Sequence, residues 1–549
     1  MPKVIIDGRE VEVPAGATVL EAAQAAGVTI PTLCHLEGSS PDPSCFVCVV
    51  EVDGSGALRP SCALPVAEGM AVRTDTEEVR SARRAALELL LSDHCGDCVG
   101  PCGLTCPAHL EVADFVQRVK AGDERRAIAV VRRTLPLAAS LGRVCPGFCE
   151  RVCRRKDLDE AVSIRDLHRY VADRDRASGA SYVPERRADT GKRVAIVGAG
   201  PAGLTAAYYL LQMGHACVIH EARELPGGLF RWGVGPERLP HEVLDGEIDL
   251  VRRLGAEIQC DSRLGRDVAL ANLRREHDAV LLAIGPQMKG DWPGAFAPAG
   301  HASSGTPDLS FVAALGLDAG PRGVKADRQT LATSVPGVFA AGGVVGGPNY
   351  GVHAVAAGRR AAMSIGQYLE SGTARGESRQ VNVLMRDMTD AERQRFHVGA
   401  SPARRVRLEL GPGGTAARGL TETEARTEAG RCLDCDCGKR ESCVLRELAA
   451  RCEASPGRYE GSRRWFERDD SHAEIVYESG KCVLCGRCLR VAAAAGEPVG
   501  LALVGRGFGV KVRGSLDAPI AHVLRTAGRR CAEACPTGAL SLRRQWRDK

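Results

Sequence analysis

Twenty-three cysteines lie in this chain of 549 residues, and most of them are grouped at spacings that suit metal ligands. An odd number cannot be fully paired in disulfides within one chain. The first residues, MPKVIIDGREVEV, have neither the apolar segment nor the small-residue cleavage site of a secretory signal. We therefore expect thiolate-held metal centres and redox chemistry, in a protein of the reducing cytoplasm.

The first cysteine group consists of Cys34, Cys45, Cys48 and Cys62, with the spacing C-x10-C-x2-C-x13-C. Four thiolates carried by irregular loop suit a [2Fe–2S] centre, whereas a zinc site would favour two C-x2-C pairs. The long first gap and the text LCHLEG and PSCFVCVVEV resemble the N-terminal domain of the large iron–sulfur subunit of respiratory complex I and of [FeFe]-hydrogenases. This resemblance implies one [2Fe–2S] centre in a β-grasp domain. The alternation in the first residues also predicts a hairpin turned by Asp7-Gly8, followed by an Ala-rich helix that Thr18 caps.

The second and third groups read HCGDCVGPCGLTCP and GRVCPGFCERVC. The stretch around them has apolar spacing through Leu87–Leu91 and again through Val112–Val119, which predicts helices. They resemble the N-terminal helical domain of the small subunit of bacterial glutamate synthase, which also occurs in dihydropyrimidine dehydrogenase. The resemblance implies two [4Fe–4S] clusters with interleaved ligands. One set is Cys95, Cys98, Cys102 and Cys153, and the other includes Cys106, Cys145 and Cys149.

The fourth ligand of the second set is a Glu or Gln in that family. The matching position in the segment AVSIRDLHRY is His168. Imidazole can ligate iron, as in Rieske centres, and would raise the reduction potential. The alternative is a histidine on the helix surface, with the fourth iron site filled by water or another side chain.

A nucleotide-binding fold follows. The strand pattern from Arg193 runs directly into G-x-G-x-x-G at Gly198, Gly200 and Gly203, and Glu221 comes after the next strand. The glycines permit a tight turn, close approach to a pyrophosphate and close helix packing, and the acidic residue can accept ribose hydroxyls. The longest uncharged run of the chain, 194–214, is explained by this motif rather than by a membrane span.

Two further segments favour FAD over NAD by resemblance to the same glutamate synthase family. LPGGLFRWGVGPERLP contains Gly228, and TSVPGVFAAGG ends in Gly342 and Gly343. The family usually ends this second motif in Gly-Asp, and the aspartate contacts the flavin. Its replacement by glycine removes one anchor, so we expect FAD with fewer contacts.

The family's NAD(P)H-binding domain is missing from its expected place. DAVLLAIGP, which ends at Pro286, should lead into that domain, but the second flavin half resumes near Phe311. About two dozen residues lie between them, fewer than the roughly 30 of one βαβ unit. We infer that the domain is deleted, and that the flavin has no hydride donor in its own chain.

The last two groups lie near the C-terminus. Cys432, Cys435, Cys437 and Cys443 form RCLDCDCGKRESC, for which a [4Fe–4S] cluster is the prediction and a structural zinc the alternative. The final segment resembles the ferredoxin-like part of complex I and hydrogenase subunits (CVLCGRC, VGRGFGV, CPTGAL). Its ferredoxin pattern gives one [4Fe–4S] set: Cys482, Cys485, Cys488 and Cys535.

A second ferredoxin cluster is not expected. Its ligands would fall at Arg525, Gly528, Cys531 and Ala492, of which only Cys531 is a cysteine. Cys531 therefore stays outside the ligand sets, together with Cys217, Cys260 and Cys452. Burial in the core is the ordinary explanation for such cysteines.

These patterns predict a multidomain α/β protein with no hydrolase-type catalytic residues and no nucleic-acid-binding motif. The formal charge is +5, and basic runs such as Arg83–Arg84, Arg151–Lys156 and Arg529–Arg530 lie near cysteines, where they can balance negatively charged clusters. The predicted segments are a β-grasp [2Fe–2S] domain (1–78), a helical domain with two [4Fe–4S] clusters (79–185), a truncated Rossmann-like FAD domain (190–370), a linker (371–425), a four-cysteine segment (426–470) and a ferredoxin-like α+β domain (471–549).

The leading hypothesis is an electron-transfer subunit of a cytoplasmic multisubunit oxidoreductase, with no transmembrane segment. Its expected partners are an NADH-binding flavoprotein related to that of complex I and a hydrogenase or a molybdenum/tungsten formate dehydrogenase. One alternative is a self-sufficient NAD(P)H-dependent reductase of the glutamate synthase small-subunit type. Another is an iron–sulfur scaffold whose flavin fold is vestigial. One [2Fe–2S] and four [4Fe–4S] centres would give about eighteen iron atoms.

Overall fold

The structure is a computed structural model of the whole chain. The residues that it describes are 1–53, 57–286, 309–346, 350–378, 380–385, 387–409, 411, 418–459, 461–497, 499–514 and 518–544. The chain divides into two compact units. Within the described residues, the first comprises 1–100, 380–399 and 435–544, and the second comprises 101–378 and 400–434.

Residues 1–100 of the first unit form a mixed five-stranded sheet with two helices. In chain order these are β1 (Lys3–Ile6), β2 (Arg9–Glu12), α1 (Val19–Ala25), β3 (Val49–Val52), β4 (Leu58–Pro60), β5 (Ala71–Arg73) and α2 (Glu77–Ser92). The strand order is β2-β1-β5-β3-β4, with β1 and β5 parallel. The predicted hairpin turned by Asp7 and Gly8 is confirmed, as is the helix capped by Thr18, whose hydroxyl forms a capping box with Glu21.

The second unit begins with a helical part. Its helices are α3 (Pro101–Thr105), α4 (Val112–Ala121), α5 (Glu124–Arg132), α6 (Ala138–Val144), α7 (Phe148–Arg151) and α8 (Ile164–Ala177). The apolar faces of α4, α5, α6 and α8 meet in one buried core. The helical pattern predicted around Val112–Val119 is therefore confirmed.

The nucleotide fold of the second unit follows this helical part. Its elements are β6 (Arg193–Val197), α9 (Pro201–Gln212), β7 (Ala216–His220), α10 (Leu229–Trp232), α11 (His241–Arg253), β8 (Glu257–Gln259), α12 (Leu270–Glu276), β9 (Ala279–Leu282), α13 (Ser310–Ala314), β10 (Ala319–Gly320), β11 (Gly323–Val324), β12 (Val338–Ala340) and α14 (Gly351–Ser371). A parallel sheet of order β12-β9-β6-β7-β8 supports the glycine motif. The short Gly/Pro/Ala-rich stretch inferred to replace the NAD(P)H domain falls at 287–308, outside the described residues.

The rest of the chain contributes to both units. Its elements are α15 (Asp390–Phe396), α16 (Glu422–Gly430), α17 (Val444–Arg451), β13 (Arg468–Asp469), β14 (Ile475–Glu478), α18 (Arg487–Ala494), β15 (Leu501–Val504), β16 (Lys511–Gly514), α19 (Ile520–Val523), α20 (Gly528–Ala534) and β17 (Leu540–Leu542). The predicted linker 371–425 thus contains α15, which Thr389 and Glu392 start with a capping box. Residues 412–417 of the predicted linker, which include its Pro-Gly-Gly run, lie outside the described residues. Across the described ranges, every helix is too short or too polar to cross a bilayer.

Candidate iron–sulfur and flavin sites

The four thiols of the first cysteine group contact one another inside the first unit. Hydrogen bonds from the thiols of Cys45 and Cys62 lower the pKa of the Cys34 thiol, and the Cys62 side chain lowers the pKa of Cys48 to about 6. All four residues are at most 5% exposed. The same contacts raise the pKa of the Cys45 and Cys62 thiols, because each pair shares one proton. Four buried thiols in mutual contact form a donor set that fits the predicted [2Fe–2S] centre.

The ferredoxin-like segment encloses an apolar cavity. The cavity is lined by all four cysteines of the predicted set, Cys482, Cys485, Cys488 and Cys535, together with Tyr477, Val512, Leu540 and neighbouring backbone. Burial raises the pKa of Cys485 to about 11 and that of Cys482 to about 12. Thiols in such a dry pocket become ligands only with a compensating positive charge, which iron provides. The residues fit a [4Fe–4S] cluster.

Small apolar side chains fill the place of the second ferredoxin cluster. Ala492 and Cys531 are fully buried in the core of this segment, beside Ala527 and Ala532. The Cys531 thiol donates to the carbonyl oxygen of Cys488 at 3.5 Å. Cys531 is thus a buried core residue.

Three other cysteines of the first unit lie close together. The N–H group of Cys437 donates to the carbonyl oxygen of Cys98 at 3.3 Å, and Cys98 exchanges hydrogen bonds with Val383 through its N–H group and its sulfur. Burial, together with the charges of Cys437 and Cys98, raises the pKa of Cys443 to about 12. The packing thus brings one cysteine of the second group to two cysteines of the fourth.

The second unit brings together Cys106, Cys145 and Cys149. Burial raises the pKa of each thiol, and the Cys106 charge adds to the shifts of Cys145 and Cys149. His168 is 3% exposed in α8, so it is not a surface histidine. Burial lowers its pKa to about 4, its ring contacts the carbonyl of Ala138, and its Nδ1 has no hydrogen-bond partner. A neutral imidazole with one unpartnered ring nitrogen can bind a metal ion through that nitrogen.

Two remaining thiols of the second unit also lie near each other. Cys432 is partly buried, and the charge of Cys153 contributes to the upward shift of its pKa to about 12. Gln117 approaches the carbonyl oxygen of Cys432 at 3.5 Å. Cys102 packs against the same core. Among the described residues, no three Cys, His, Asp or Glu side chains form a group that could hold a single metal ion.

The glycine motif has the geometry that the sequence predicts. Gly198 has a φ of +106°, and a side chain on Gly203 would overlap the carbonyl oxygen of Gly198. Gly200 begins α9, and a Cβ built there would meet only the Cα of Gly228, at 3.7 Å. The N-terminal N–H groups of α9 therefore remain approachable by a phosphate.

Glu221 and the second flavin motif lie at this loop. The Glu221 carboxylate accepts hydrogen bonds from the N–H groups of Ala199 and Arg223, at 2.8 and 3.0 Å, and keeps further lone pairs for a ribose. A Cβ built on Gly342 would lie 3.1 Å from Ala202, and one on Gly343 2.6 Å from Pro286. These two glycines thus let the second motif pack closely on the first, and the open side of the loop at Gly200 fits a dinucleotide.

Two cations near thiols were missed by the sequence reasoning. Arg463 donates to Cys95 Sγ at 3.2 Å, and Lys481 lies beside the loops of Cys95 and Cys437. Of the basic runs noted in the sequence, Arg83 donates instead to a backbone carbonyl and Arg529 pairs with exposed Glu474. Sequence proximity to a cysteine was therefore a poor guide to contact.

Three family models match the chain. They are a 2Fe–2S iron–sulfur cluster binding domain over residues 3–77, the 4Fe–4S domain II of dihydropyrimidine dehydrogenase over residues 73–180, and an NAD(P)-binding Rossmann-like domain over residues 196–243. These matches place the chain in the class of iron–sulfur oxidoreductases. The resemblance to the glutamate synthase small-subunit type is thereby confirmed for the helical segment, and the [2Fe–2S] domain is confirmed for residues 3–77.

The curated relatives belong to the same class. The chain is 39% identical over 206 residues to the β subunit of an NADP(+)-dependent formate dehydrogenase of Moorella thermoacetica, which is 34% of this chain and 29% of that protein. It is also 39% identical over 189 residues to an NADPH–Fe(3+) oxidoreductase β subunit of Geobacter sulfurreducens, covering 34% and 28%. The dihydropyrimidine dehydrogenase subunit PreT of Escherichia coli K12 is 35% identical over 34% of this chain and 45% of its own length. The chain thus spans less than half the length of these relatives.

Among solved structures, an NAD+-reducing [NiFe]-hydrogenase aligns over 99% of this chain and 87% of its own, with 12% identity and a TM-score of 0.34. A thioredoxin reductase of T. acidophilum aligns over 33% of this chain and 100% of its own, with 17% identity and a TM-score of 0.26. At these scores the alignments carry no argument.

Proposed function

We propose that this chain is an electron-transfer subunit of a cytoplasmic multisubunit oxidoreductase. It relays electrons between an NADH-binding flavoprotein partner and a hydrogenase-type or formate dehydrogenase-type catalytic subunit. The observation that carries the proposal is the direct packing of one cysteine loop on the next within the first unit. A protein that only stored metal would have no need for such contacts.

Two contacts illustrate this packing. The loop of Cys34 and the loop of Cys485 share the guanidinium of Arg490, which donates to both backbone carbonyls at 2.6 and 3.4 Å. At the other side of the ferredoxin-like segment, Lys439 Nζ donates to the carbonyl of Cys535 at 2.5 Å, and Cys443 Sγ lies 3.8 Å from the carbonyl of Pro536. Successive ligand loops therefore touch through hydrogen bonds.

The proposed ligand sets follow the sequence pattern. The [2Fe–2S] centre is held by Cys34, Cys45, Cys48 and Cys62. The two clusters of the helical domain are held by Cys95, Cys98, Cys102 and Cys153 and by Cys106, Cys145, Cys149 and His168. A further [4Fe–4S] cluster is held by Cys432, Cys435, Cys437 and Cys443, and the ferredoxin-like cluster by Cys482, Cys485, Cys488 and Cys535. When bound, such clusters supply one-electron transfer. The chain's own contribution is burial, which keeps water from the thiolates, and nearby N–H groups and cations, which balance their charge.

FAD is the proposed occupant of the loop at Gly200. Gly200 leaves room for the dinucleotide, and Glu221 accepts its ribose. The other glycines of the two motifs permit the close packing of the loops that surround this space: Gly198, Gly203, Gly228, Gly342 and Gly343. A family model that is described as NAD(P)-binding covers this segment. The assignment of FAD rests on the two downstream motifs. Because the NAD(P)H domain is inferred to be missing, the flavin's electrons must arrive from a partner.

The experiment is an anaerobic purification followed by separate additions of NADPH, NADH and dithionite. The expected sample holds about eighteen iron atoms and as many sulfides per chain. Dithionite should bleach its visible absorbance, and nicotinamide nucleotides alone should not. Tagged chain should also co-purify with a flavoprotein and a catalytic subunit. Fast bleaching by NADPH would support the self-sufficient reductase, and clusters without extractable flavin would support the scaffold.

A further inference from the structure

One lysine of the first unit is buried where three cysteine-bearing loops meet. The side chain of Lys481 is 3% exposed, and its Nζ lies 2.5 Å from Glu478 Oε2. Lys481 directly precedes Cys482, so the first loop is its own. The other two are the loop that carries Cys95 and Cys98 and the loop that carries Cys437.

Contacts along the stem of the lysine define this position. A Cβ built on Gly96 would lie 2.5 Å from Lys481 Cε and 2.6 Å from Cγ, so only glycine leaves room for the stem there. A Cβ built on Gly538 would overlap Cys437 Sγ and would lie 3.5 Å from Lys481 Cδ. The preceding carbonyl, of Gly480, accepts a hydrogen bond from the N–H of Cys95 at 2.7 Å.

The charges around this ammonium group are few. Glu478 is its one ion-pair partner among the described residues, and is itself 6% exposed. His94 is partly buried beside it, and desolvation together with the charge of Lys481 lowers the pKa of that imidazole to about 3. His94 is therefore neutral, and the guanidinium of Arg464 adds a second positive charge near it. Cys98 and Cys437 both lie within electrostatic range of Lys481.

A buried charge acts strongly on its neighbours because the surrounding medium screens it poorly. Reduction adds one electron, and hence one negative charge, to a thiolate-held cluster. We propose that Lys481 is a redox-tuning residue, whose ammonium stabilises that added charge and raises the reduction potential of the clusters held by the loops around it, while Glu478 offsets part of the effect. This inference rests on the proposed function, because it requires clusters at these cysteines.

The test is a set of three variants, each titrated anaerobically with dithionite while the reduced clusters are followed by electron paramagnetic resonance. E478Q removes the anion and leaves the cation, so the midpoint potential of the affected cluster should rise. K481M/E478Q removes both charges and avoids leaving a buried carboxylate unpaired. Its midpoint should lie below that of E478Q by at least a tenfold change in the oxidised-to-reduced ratio, about 59 mV for one electron. K481R should keep the wild-type midpoint.

The matched control is K511M. Lys511 also pairs with a glutamate, Glu467 at 3.2 Å, but its side chain is 34% exposed, and solvent screens it. No midpoint should move in this variant. Equal midpoints in E478Q and K481M/E478Q, or an equal shift in K511M, would overturn the inference. E478Q alone decides the matter if the double variant fails to fold, because an unshifted midpoint in E478Q is already contradictory.

Iron and sulfide counts separate this inference from the proposed function. A wild-type chain without clusters would refute the proposed function before any midpoint is measured. A wild-type chain with its full iron content and a midpoint indifferent to Glu478 and Lys481 would refute only the tuning role.

Discussion

The guanidinium of Arg490 donates a hydrogen bond to the carbonyl oxygen of Cys34 at 2.6 Å, across 456 residues of sequence. The same nitrogen reaches the carbonyl oxygen of Cys485 at 3.4 Å, and Arg487 reaches that of Leu33 at the same distance. Leu33, Cys34 and Cys485 also share one buried apolar cluster. The [2Fe–2S] loop and the ferredoxin-like loop are therefore held together by a cation on the backbone as well as by apolar packing.

Replacing Arg490 by alanine should loosen this contact. A hydrogen bond from a charged donor contributes about 1.5–3 kcal/mol, so the urea midpoint of the first unit should fall accordingly. Weaker magnetic interaction between the two reduced centres should accompany it, read by electron paramagnetic resonance at full iron content. Arg529→Ala is the control, because its pair with Glu474 is exposed on both sides and surface pairs contribute little. Unchanged stability and unchanged spectra in Arg490→Ala would contradict the role.

Serine in place of Cys535 should remove the ferredoxin-like cluster, whereas serine in place of Cys531 should not. Cys535 lines the four-cysteine cavity, while Cys531 points into an apolar core and donates only to the carbonyl of Cys488. The expected iron count falls by about four atoms in Cys535→Ser and stays constant in Cys531→Ser. Loss of iron from the Cys531 variant at unchanged secondary structure would mean that this thiol serves a cluster.

Local patterns in the sequence predicted much of the fold. The alternation in β1 and β2, the Thr18 cap and the strand–glycine–helix unit at Gly198 each depend on neighbours within a few residues, and all three are present. The helix α15 carries an equally local signal, the capping box of Thr389 and Glu392, but it was overlooked in a stretch of weak apolar pattern. Part of its stability comes from Arg463, which pairs with Glu392 through two hydrogen bonds and is distant in sequence.

The candidate site was likewise predictable from the sequence only where its residues are close together in the chain. The cysteines that line the ferredoxin-like cavity come mostly from one short run, so spacing sufficed to group them. The approach of Cys437 to Cys98 and the burial of Lys481 depend on chain segments hundreds of residues apart, and no spacing rule encodes them. Basic residues near cysteines in sequence were instead used in ion pairs of their own, as Arg155 is with Asp159.

Alanine at Gly200 and alanine at Gly203 should have different consequences. Gly200 has an extended backbone with φ of −82°, and a Cβ there would meet Gly228 only at ordinary contact distance. Gly200→Ala should therefore fold, yet its methyl group would occupy the approach to a pyrophosphate and lower the extractable flavin several-fold. Gly203→Ala would overlap the carbonyl of Gly198 and should reduce soluble yield. Full flavin in a folded Gly200→Ala chain would count against a dinucleotide at this loop.

Glutamine at His168 tests the proposed fourth ligand of the Cys106 cluster. The buried Nδ1 of His168 has no protein partner, as expected of an atom reserved for a metal. His168→Gln restores one of the residue types found at this position in the resembling family, so iron content should be kept and the midpoint potential lowered, because imidazole raises the potential. His168→Ala should lose one iron or the cluster. A midpoint identical in wild type and His168→Gln would show that the ring does not bind iron.

Glu247 gives the second unit a pH-dependent stability. Its carboxylate accepts hydrogen bonds from the N–H groups of Ala139 and Ser140 and from the Ser140 hydroxyl. It therefore fixes the first turn of α6, the helix that directly precedes Cys145. Burial raises the pKa of Glu247 to about 7, from an ordinary value of 4.5. Between these two values the folded state keeps a proton that the unfolded state has released.

The free energy of unfolding should therefore decrease as the pH rises from about 4.5 to 7, and level off above that. At about 1.4 kcal/mol per pKa unit the whole change is ~3 kcal/mol. Urea midpoints of wild type and Glu247→Gln at pH 5.5, 6.5, 7.5 and 8.5 measure it, since the amide does not titrate and the difference between the two chains should shrink as the pH rises. Glu242 lies at an exposed position of α11, the helix that also carries Glu247. The urea midpoint of Glu242→Gln should differ from that of wild type by the same amount at every pH. A Glu247→Gln difference that is equally constant would mean that this carboxyl is ionised in the fold, and that the N-terminus of α6 outweighs burial.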